Sequence, residues 1–231
     1  MPSAGIKSYV LRRGRITVAQ TRGLETLWAS YGIEIRPKTD WESIFGRRAP
    51  LSLEIGGGYG EAAAELAQAN PQDNHIVLEV HTPGVGALLN RLSAAEISNV
   101  RVARADAVET LPMFNNGGLS CVRIFFPDPW PKKRHHKRRL ITPAFVGLLA
   151  KKVACGGIVH IATDWANYAC QIRESFASCK EFTTADNRPP RPPTRFAARA
   201  SRENRAITDL AYCRCFDAEP TTAKQSDEVG G

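Results

Sequence analysis

From residue 51 onward, short apolar runs alternate with longer segments whose apolar positions recur at helical spacing. The apolar runs predict strands over 51–55, 75–80, 100–105, 121–126, 157–162 and 206–216. The intervening segments predict helices over 59–69, 83–97, 107–114, 142–154 and 165–178. Strands that are apolar throughout and alternate with helices are typical of a mainly parallel sheet covered on both faces. We therefore predict an α/β domain.

The flanking segments predict the domain organisation. A helix is expected over 17–31, where Leu24, Leu27, Trp28 and Tyr31 share one face, and a polar connector over 36–50. Residues 187–205 are rich in proline and arginine and are expected to form a loop. The polar tail over 217–231 is predicted to be disordered. We expect a basic N-terminal arm and helix over 1–45 and one main domain over 46–216.

A glycine turn follows the first predicted strand. Gly56, Gly58 and Gly60 form a G-x-G-x-G pattern between strand and helix, where the backbone must turn tightly and a ligand can approach it closely. The pattern alone is weak, because glycine turns also arise for purely local reasons.

Acidic residues at successive strand ends strengthen the case for a ligand. Glu79 ends the second strand and is suited to the hydroxyls of a ribose, and Asp106 follows the third and is suited to the amine of an adenine. Each acid alone is equally well explained as a helix N-cap or a solvated loop residue. Glu61 stands where a dinucleotide fold prefers glycine, and Glu54 adds negative charge within the first strand. This pattern favours S-adenosylmethionine, which is cationic and has no phosphate, over NAD.

Composition restricts the compartment and the partners. Apolar residues make up 43% of the 231, no run is long enough for a membrane span, and the N-terminus lacks a signal-peptide pattern, so we expect a cytoplasmic protein with no membrane partner. The six cysteines show no metal-ligand spacing, so we expect no metal. The net charge of +8 is concentrated in three clusters, which favour a nucleic acid over a merely solvated surface. The clusters are Arg12, Arg13 and Arg15; Lys132, Lys133, Arg134, Lys137, Arg138 and Arg139; and Arg188, Arg191, Arg195, Arg199, Arg202 and Arg205.

The second cluster follows a proline-stiffened loop that carries Asp128. Prolines on both sides fix the direction of this carboxylate, which makes Asp128 the candidate catalytic residue. The cations that come next are suited to an RNA backbone while Asp128 faces a base. A solvated basic loop or a sorting signal is the alternative. For His135 and His136, phosphate contact or proton chemistry is favoured over metal binding.

Five segments together resemble the bacterial tRNA (guanine-N7-)-methyltransferase family. They are FFPDPWPKKRHHKRRL (125–140), LEIGGGYGE (53–61), LEVHTPGVGALL (78–89), HIATDWANYA (160–169) and RPPTRFAAR (191–199). The resemblance implies a Rossmann-like methyltransferase fold with a seven-stranded sheet over 46–216, and methylation of guanine N7 in the variable loop of tRNA. It implies S-adenosylmethionine contacts from Glu54, Gly56, Gly58, Gly60, Glu79, Asp106 and Asp128. It implies substrate contacts from Lys132, Arg134, His135, Lys137, Arg138, Asp164, Thr194 and Arg195, with Asp128 catalytic.

The sequence departs from the family pattern at one motif. The family usually reads T-x-F-E, whereas Thr194-Arg195-Phe196 is followed here by Ala197, and Ala200 replaces a usual glycine. The missing carboxylate would help to hold guanine or to order the loop, and Glu203 is a candidate to compensate. The alternatives are a methyltransferase with a different RNA target and an RNA-binding module with a vestigial cofactor pocket. The sequence leaves the oligomeric state open between a monomer and a weak dimer.

Overall fold

The computed structural model describes residues 7–9 and 15–215. Its helices are α1 (Val18–Tyr31), α2 (Trp41–Phe45), α3 (Glu61–Ala69), α4 (Thr82–Ala94), α5 (Ala107–Thr110), α6 (Pro143–Lys152), α7 (Ala166–Ala177) and α8 (Arg195–Arg202). Its strands are β1 (Leu51–Ile55), β2 (Asn74–Leu78), β3 (Val100–Ala103), β4 (Leu119–Phe125), β5 (Val153–Thr163), β6 (Phe182–Thr184) and β7 (Thr208–Arg214). Two 3₁₀ helices span Leu111–Met113 and Lys133–Arg138.

The strands form one seven-stranded sheet in the order β3-β2-β1-β4-β5-β7-β6. The first five of these strands are parallel, and β7 runs antiparallel to both β5 and β6. The predicted α/β fold with a mainly parallel sheet is confirmed. Strand order reverses between β1 and β4, and such a switch point opens a crevice for a ligand at the carboxyl ends of the strands.

The core lies on both faces of the sheet. All five residues of β1 and all five of β2 are buried, as expected for parallel strands that are covered on both sides. Helix α1 belongs to one covering layer, where it crosses α4 closely. A Cβ built on Gly86 of α4 would lie 2.3 Å from the carbonyl oxygen of Gln20, so only glycine permits this crossing.

Local structure differs from the sequence predictions in several places. The basic loop contains the 3₁₀ helix Lys133–Arg138, and β5 begins at Val153, within the helix predicted over 142–154. The connector predicted over 36–50 contains α2, which begins because Asp40 accepts a hydrogen bond from the Ser43 amide and which is anchored by Trp41 stacking on Phe114. The loop predicted over 187–205 contains α8. Strand β6 was not predicted, because three residues give too short a pattern to detect.

Two further comparisons concern the ends of the chain. The predicted last strand, 206–216, is observed over Thr208–Arg214, and Phe216 lies outside the described residues. The predicted disordered tail and Arg12 and Arg13 of the first basic cluster also lie outside them. In the part of the chain that the structure describes, no helix is long and apolar enough to cross a membrane.

Candidate active site

The glycine turn after β1 uses its own amide groups internally. The amides of Gly56 and Gly57 both donate to the carbonyl of Leu78, at 2.8 and 3.2 Å, and the amide of Gly58 donates to Glu79 Oε2 at 2.7 Å. A dinucleotide site needs such amides to face a pyrophosphate. Here a carboxylate already occupies that position, so the turn is suited to a ligand without phosphate.

The glycines of the turn have different physical roles. Gly56, Gly58 and Gly60 all have positive φ angles, of 80°, 55° and 78°. Gly56 and Gly58 line a cavity, whereas Gly60 does not. A Cβ on Gly60 would lie 2.3 Å from Leu88 Cδ1, so this glycine is required by the packing of α3 against α4.

A cavity of about 400 Å³ opens at the carboxyl edge of β1, β2 and β4. Its volume falls in the range of roughly 300–1,000 Å³ that is usual for small-molecule sites. Apolar walls come from Leu78, Val80, Ile124 and Leu140, and carboxylates come from Glu79, Asp106 and Asp128. Three predicted site acids therefore converge on one cavity.

Two of these carboxylates are fixed by the backbone. The buried Glu79 accepts from the Gly58 amide through one oxygen and from the His81 amide through the other, both at 2.7 Å. Asp106 is the N-cap of α5 and accepts from the Val108 amide at 2.8 Å. The N-cap reading and the ligand reading of Asp106 therefore do not exclude each other, because the same side chain caps a helix and lines the cavity.

Glu54 lies deeper, in β1, beside a second, smaller cavity of about 20 Å³ that it shares with Thr194. Burial raises the pKa of Glu54 to about 7, although the positive charge of Arg123 opposes the rise, and the charge of Glu79 adds to it. A cationic ligand in this region would lower that pKa again and hold Glu54 ionised.

Aromatic and N-terminal residues that the sequence did not single out cover the main cavity. Phe196, on α8, is 46% exposed, lines both cavities and stacks on Phe126 with ring centroids 6.0 Å apart. Ser8 and Tyr9 line the cavity from the N-terminal side. In the sequence, a phenylalanine within an arginine-rich stretch is the signal that could have pointed to Phe196.

Helix α8 shows what the departure at Ala197 means structurally. Thr194 is the N-cap of α8 and its hydroxyl accepts from the Ala197 amide at 3.2 Å. A glutamate at position 197 would complete a capping box by reaching back to the N-cap amide. Instead, Glu61 Oε2 accepts from the Arg195 amide at 2.8 Å, and Glu61 Oε1 accepts from Arg195 Nε at 2.7 Å. The start of α8 is therefore stabilised from α3 rather than from within the helix.

The other end of α8 connects to Asp164. Arg205 donates from Nε to Asp164 Oδ2 at 2.8 Å, its Nη2 forms an ion pair with the same oxygen at 2.7 Å, and Arg205 also pairs with Glu203. Glu203 accepts in addition from Arg199 Nε at 2.7 Å. Glu203, the candidate to replace the missing glutamate, thus lies in the same ion-pair network as the predicted substrate residue Asp164.

The arginines over 188–205, one of the three basic clusters of the sequence, lie close to carboxylates in the structure. Four of the six pair with carboxylates: Arg191 with Asp209, Arg195 with Glu61, Arg199 with Glu203, and Arg205 with Asp164 and Glu203. The sequence does not show this pairing, because Glu61, Asp164 and Asp209 are brought to the cluster only by the fold.

The basic 3₁₀ helix after β4 is different. Lys132, Arg134 and Lys137 are exposed, and no cation from Lys132 to Arg138 forms an ion pair with a carboxylate within residues 7–9 and 15–215. Arg138 lies 4.0 Å over the Trp130 ring, and His135 contacts the same ring edge-on. The Trp130 indole in turn donates to the carbonyl of Ser8 at 3.1 Å. Lys132, Arg134 and Lys137 therefore form an exposed cationic rim on the loop that carries Asp128, whereas His135 and Arg138 are half-buried.

Arg139 does not belong to this exposed rim. It is 2% exposed and donates to the carbonyl of Pro129 and to the side chains of Gln171 and Asn167 at 2.7–3.0 Å. Its guanidinium also lies 4.8 Å from the Tyr168 ring centroid. The expectation that the whole basic run faces RNA is therefore wrong for Arg139. This residue instead fixes the loop to α7.

The histidine, cysteine and acidic side chains bear on the expectation that the protein holds no metal. Among the described residues, no group of three such side chains is placed to hold a metal ion. All six cysteines are free thiols.

Comparison with known proteins identifies the family. A family model described as a putative methyltransferase matches residues 48–210. A tRNA (guanine-N7-)-methyltransferase of Methylococcus capsulatus is 46% identical, over 92% of this chain and 96% of that protein. One of an Acidovorax species is 48% identical, over 91% of this chain and 86% of that protein. The chain belongs to the tRNA (guanine-N7-)-methyltransferase family.

Solved structures show the methyltransferase fold at low sequence identity. The 16S rRNA methyltransferase KamB superposes with a TM-score of 0.59 and 15% identity over 79% of this chain and 96% of its own. A structure described as an antibiotic-related methyltransferase gives a TM-score of 0.55 and 14% identity over 78% and 98% of the two chains. At such identities the likeness supports the fold, and the family assignment rests on the sequence relatives.

Proposed function

We propose that this protein transfers a methyl group from S-adenosylmethionine to N7 of a guanine in the variable loop of tRNA. One observation carries the proposal. The acid-lined cavity ends at Asp128, and the exposed cations of the 3₁₀ helix begin five residues further along the same loop. A cofactor site and a polyanion surface are therefore adjacent.

The cavity suits the cofactor. S-adenosylmethionine supplies a methyl group that is activated by a positively charged sulfur. The Gly58 amide, which would face a pyrophosphate in a dinucleotide site, already donates to Glu79. Glu54, Glu79 and Asp128 give the region the negative character that a cationic ligand requires. We propose that Glu79 holds the ribose hydroxyls and Asp106 the adenine amine.

Asp128 would act by position and charge rather than as a base. Guanine N7 has an in-plane lone pair and carries no proton, so no side chain has to remove a proton before attack. The methylated ring becomes cationic, and a fixed carboxylate stabilises that developing charge. The loop prolines and the buried Arg139 beneath them hold Asp128 in place.

The target base is expected to lie between two carboxylates. Asp128 follows β4 and Asp164 follows β5, and these strands are parallel neighbours. Both acids therefore emerge at the same edge of the sheet. Together they can accept hydrogen bonds from N1–H and the two N2–H groups of guanine, and adenine offers no N1–H beside its amine. The base must leave its stack to reach this position.

The decisive experiment is methyl transfer to unmodified tRNA transcripts with labelled S-adenosylmethionine. Mass spectrometry of the product nucleosides should detect 7-methylguanosine. Asp128→Ala should lower turnover by about 100-fold or more while thermal melting and cofactor binding remain intact, because a fixed charge is lost where charge develops. Wild-type turnover in Asp128→Ala contradicts the assignment.

Two further variants make the result interpretable. Asp186→Ala removes an exposed acid that lines neither cavity and should retain wild-type turnover. If the wild-type protein binds cofactor and tRNA but transfers nothing, Ala197→Glu tests whether the incomplete capping of α8 is the cause. We further propose that the protein works in the cytoplasm as a monomer or a weak dimer, which sedimentation of the purified protein can test.

A further inference from the structure

Arg205 lies in a row of alternating charges that begins at the cavity wall and ends at Asp164. Arg199, which lines the cavity, pairs with Glu203, Glu203 pairs with Arg205, and Arg205 pairs with Asp164. In the last contact, Nε of Arg205 donates to Asp164 Oδ2 at 2.8 Å, and Nη2 lies beside it, 2.7 Å from the same oxygen. The acid expected to receive the substrate base is therefore already occupied by two side-by-side donors.

The donor edge of a guanidinium resembles that of guanine. Nε–H and Nη2–H of arginine point in the same direction, and so do N1–H and one N2–H of guanine, so both edges fit a single carboxylate. Adenine and cytosine place an acceptor next to their amine, and uracil has a single donor between two acceptors. Guanine alone among the four bases can replace Arg205 donor for donor.

We propose that Arg205 holds the guanine-reading position of Asp164 in the free protein and exchanges with the Watson–Crick edge of the target guanine when tRNA binds. The inference rests on the proposed function, and it makes Arg205 a specificity-determining residue. A base without two adjacent donors leaves the Asp164–Arg205 pair intact and gains no place at Asp164.

The surroundings of Arg205 make the exchange inexpensive. The side chains of Arg205 and Asp164 are 31% and 17% exposed, so their pair is partly screened by water and is weak compared with a fully buried one. The displaced guanidinium is not stranded, because Glu203 still pairs with it at the exposed end of α8. Glu203 thereby retains Arg205 near the site throughout the exchange.

The test compares two arginines on the same stretch. Arg205→Ala and Arg202→Ala each remove one positive charge, but Arg202 is exposed and has no carboxylate partner within the described residues. Exchange predicts that Arg205→Ala lowers the KM for tRNA by about two- to fivefold, the strength of a partly exposed ion pair, with kcat unchanged. Arg202→Ala should not lower KM. A higher KM or a lower kcat in Arg205→Ala overturns the proposal, since it would mean that Arg205 supports the site.

Two controls separate exchange from simple structural effects. Arg205→Lys retains the charge but not the planar fork, so KM should fall for this variant too, and it serves if the alanine variant fails to fold. In an Asp164→Asn background the benefit of Arg205→Ala should disappear, because no competing pair remains. A benefit that persists there contradicts the exchange.

A binding measurement keeps the inference testable apart from catalysis. The Kd of an unmodified transcript is compared with that of a transcript whose variable-loop guanines are all replaced by adenine. Exchange predicts that Arg205→Ala tightens binding of the first but not of the second. Absence of 7-methylguanosine with both the wild-type protein and Ala197→Glu would refute the proposed function, whereas equal effects on both transcripts would refute only the role of Arg205.

Discussion

The basic 3₁₀ helix Lys133–Arg138 and the arginine stretch over 188–205 look alike in sequence and differ in structure. Prolines precede the first and lie within the second, and each carries several cations with few acids nearby in the chain. In the structure, the cations of the 3₁₀ helix form no ion pair within the described residues. In the arginine stretch, four of the six arginines pair with carboxylates. A run of positive charge therefore indicates a nucleic-acid surface only where the fold supplies no acid.

The two regions consequently do different work around one cavity. The cations of the 3₁₀ helix have no carboxylate partner in the part of the chain that the structure describes, and such charge attracts a polyanion over several ångströms and releases its counterions. The arginine stretch positions α8 through the pairing of Arg195 with Glu61 at the start of this helix, and so holds Phe196 over the cavity. Long-range attraction and local positioning are divided between two segments of similar composition.

The largest effect on stability is expected at Arg139, because this residue belongs to the basic run in sequence but is buried in the structure. Arg139→Met should lower the free energy of unfolding by about 3 kcal/mol, because it removes a buried cation and leaves the Pro129 carbonyl and two side-chain oxygens without donors. Denaturant unfolding measures the change. Lys137→Met, an exposed position in the same run, should change stability by less than about 0.5 kcal/mol. Equal losses in both variants would show that Arg139 is not the anchor of the loop.

A second test removes three positive charges from each region in turn. Replacing Lys132, Arg134 and Lys137 by glutamine should weaken tRNA binding roughly ten- to a hundredfold and make its log–log salt dependence shallower by about two, because three phosphate contacts are lost. Replacing Arg191, Arg195 and Arg199 removes the same charge but should alter mainly protein stability, since these arginines already have carboxylate partners. Equal flattening of the salt dependence by both triple variants would abolish the distinction between the regions.

Much of the fold could be predicted from the sequence, because periodicity reports burial directly. The strands β1 to β5 and the helices between them follow from apolar runs and helical spacing, and the reversal of strand order places the glycine turn and its acids at one edge. Asp106 was predictable in both of its roles, because each depends on its place directly after a strand.

The remainder depended on contacts between distant parts of the chain. Helix α8 was predicted as loop because prolines and arginines precede and fill it, and its start is stabilised by Glu61, which is 134 residues away. Arg138 and Arg139 are indistinguishable in sequence, and only the approach of Asn167 and Gln171 from α7 buries one of them. Which charges are free is thus decided by tertiary structure.

The smallest expected effect is a difference between the two regions in how they contribute to the pH dependence of stability. Burial raises the pKa of Asp209, but hydrogen bonds from His160 and Arg191 and their charges outweigh burial and lower the pKa to about 2. A depressed pKa stabilises the fold fully above the unfolded-state value near 4, and this contribution of about 1–2 kcal/mol is lost as pH falls towards 2. Unfolding of the wild type and of Asp209→Asn should be compared between about pH 5 and pH 2.5, where only the wild type loses this contribution. Glutamine variants of the exposed 3₁₀ helix should retain the wild-type pH dependence, because its cations form no ion pair with a carboxylate among residues 7–9 and 15–215. If Asp209→Asn loses the same stability in acid as the wild type, the titrating group is not Asp209. The pairing of Arg191 with Asp209 would then not contribute measurably to stability.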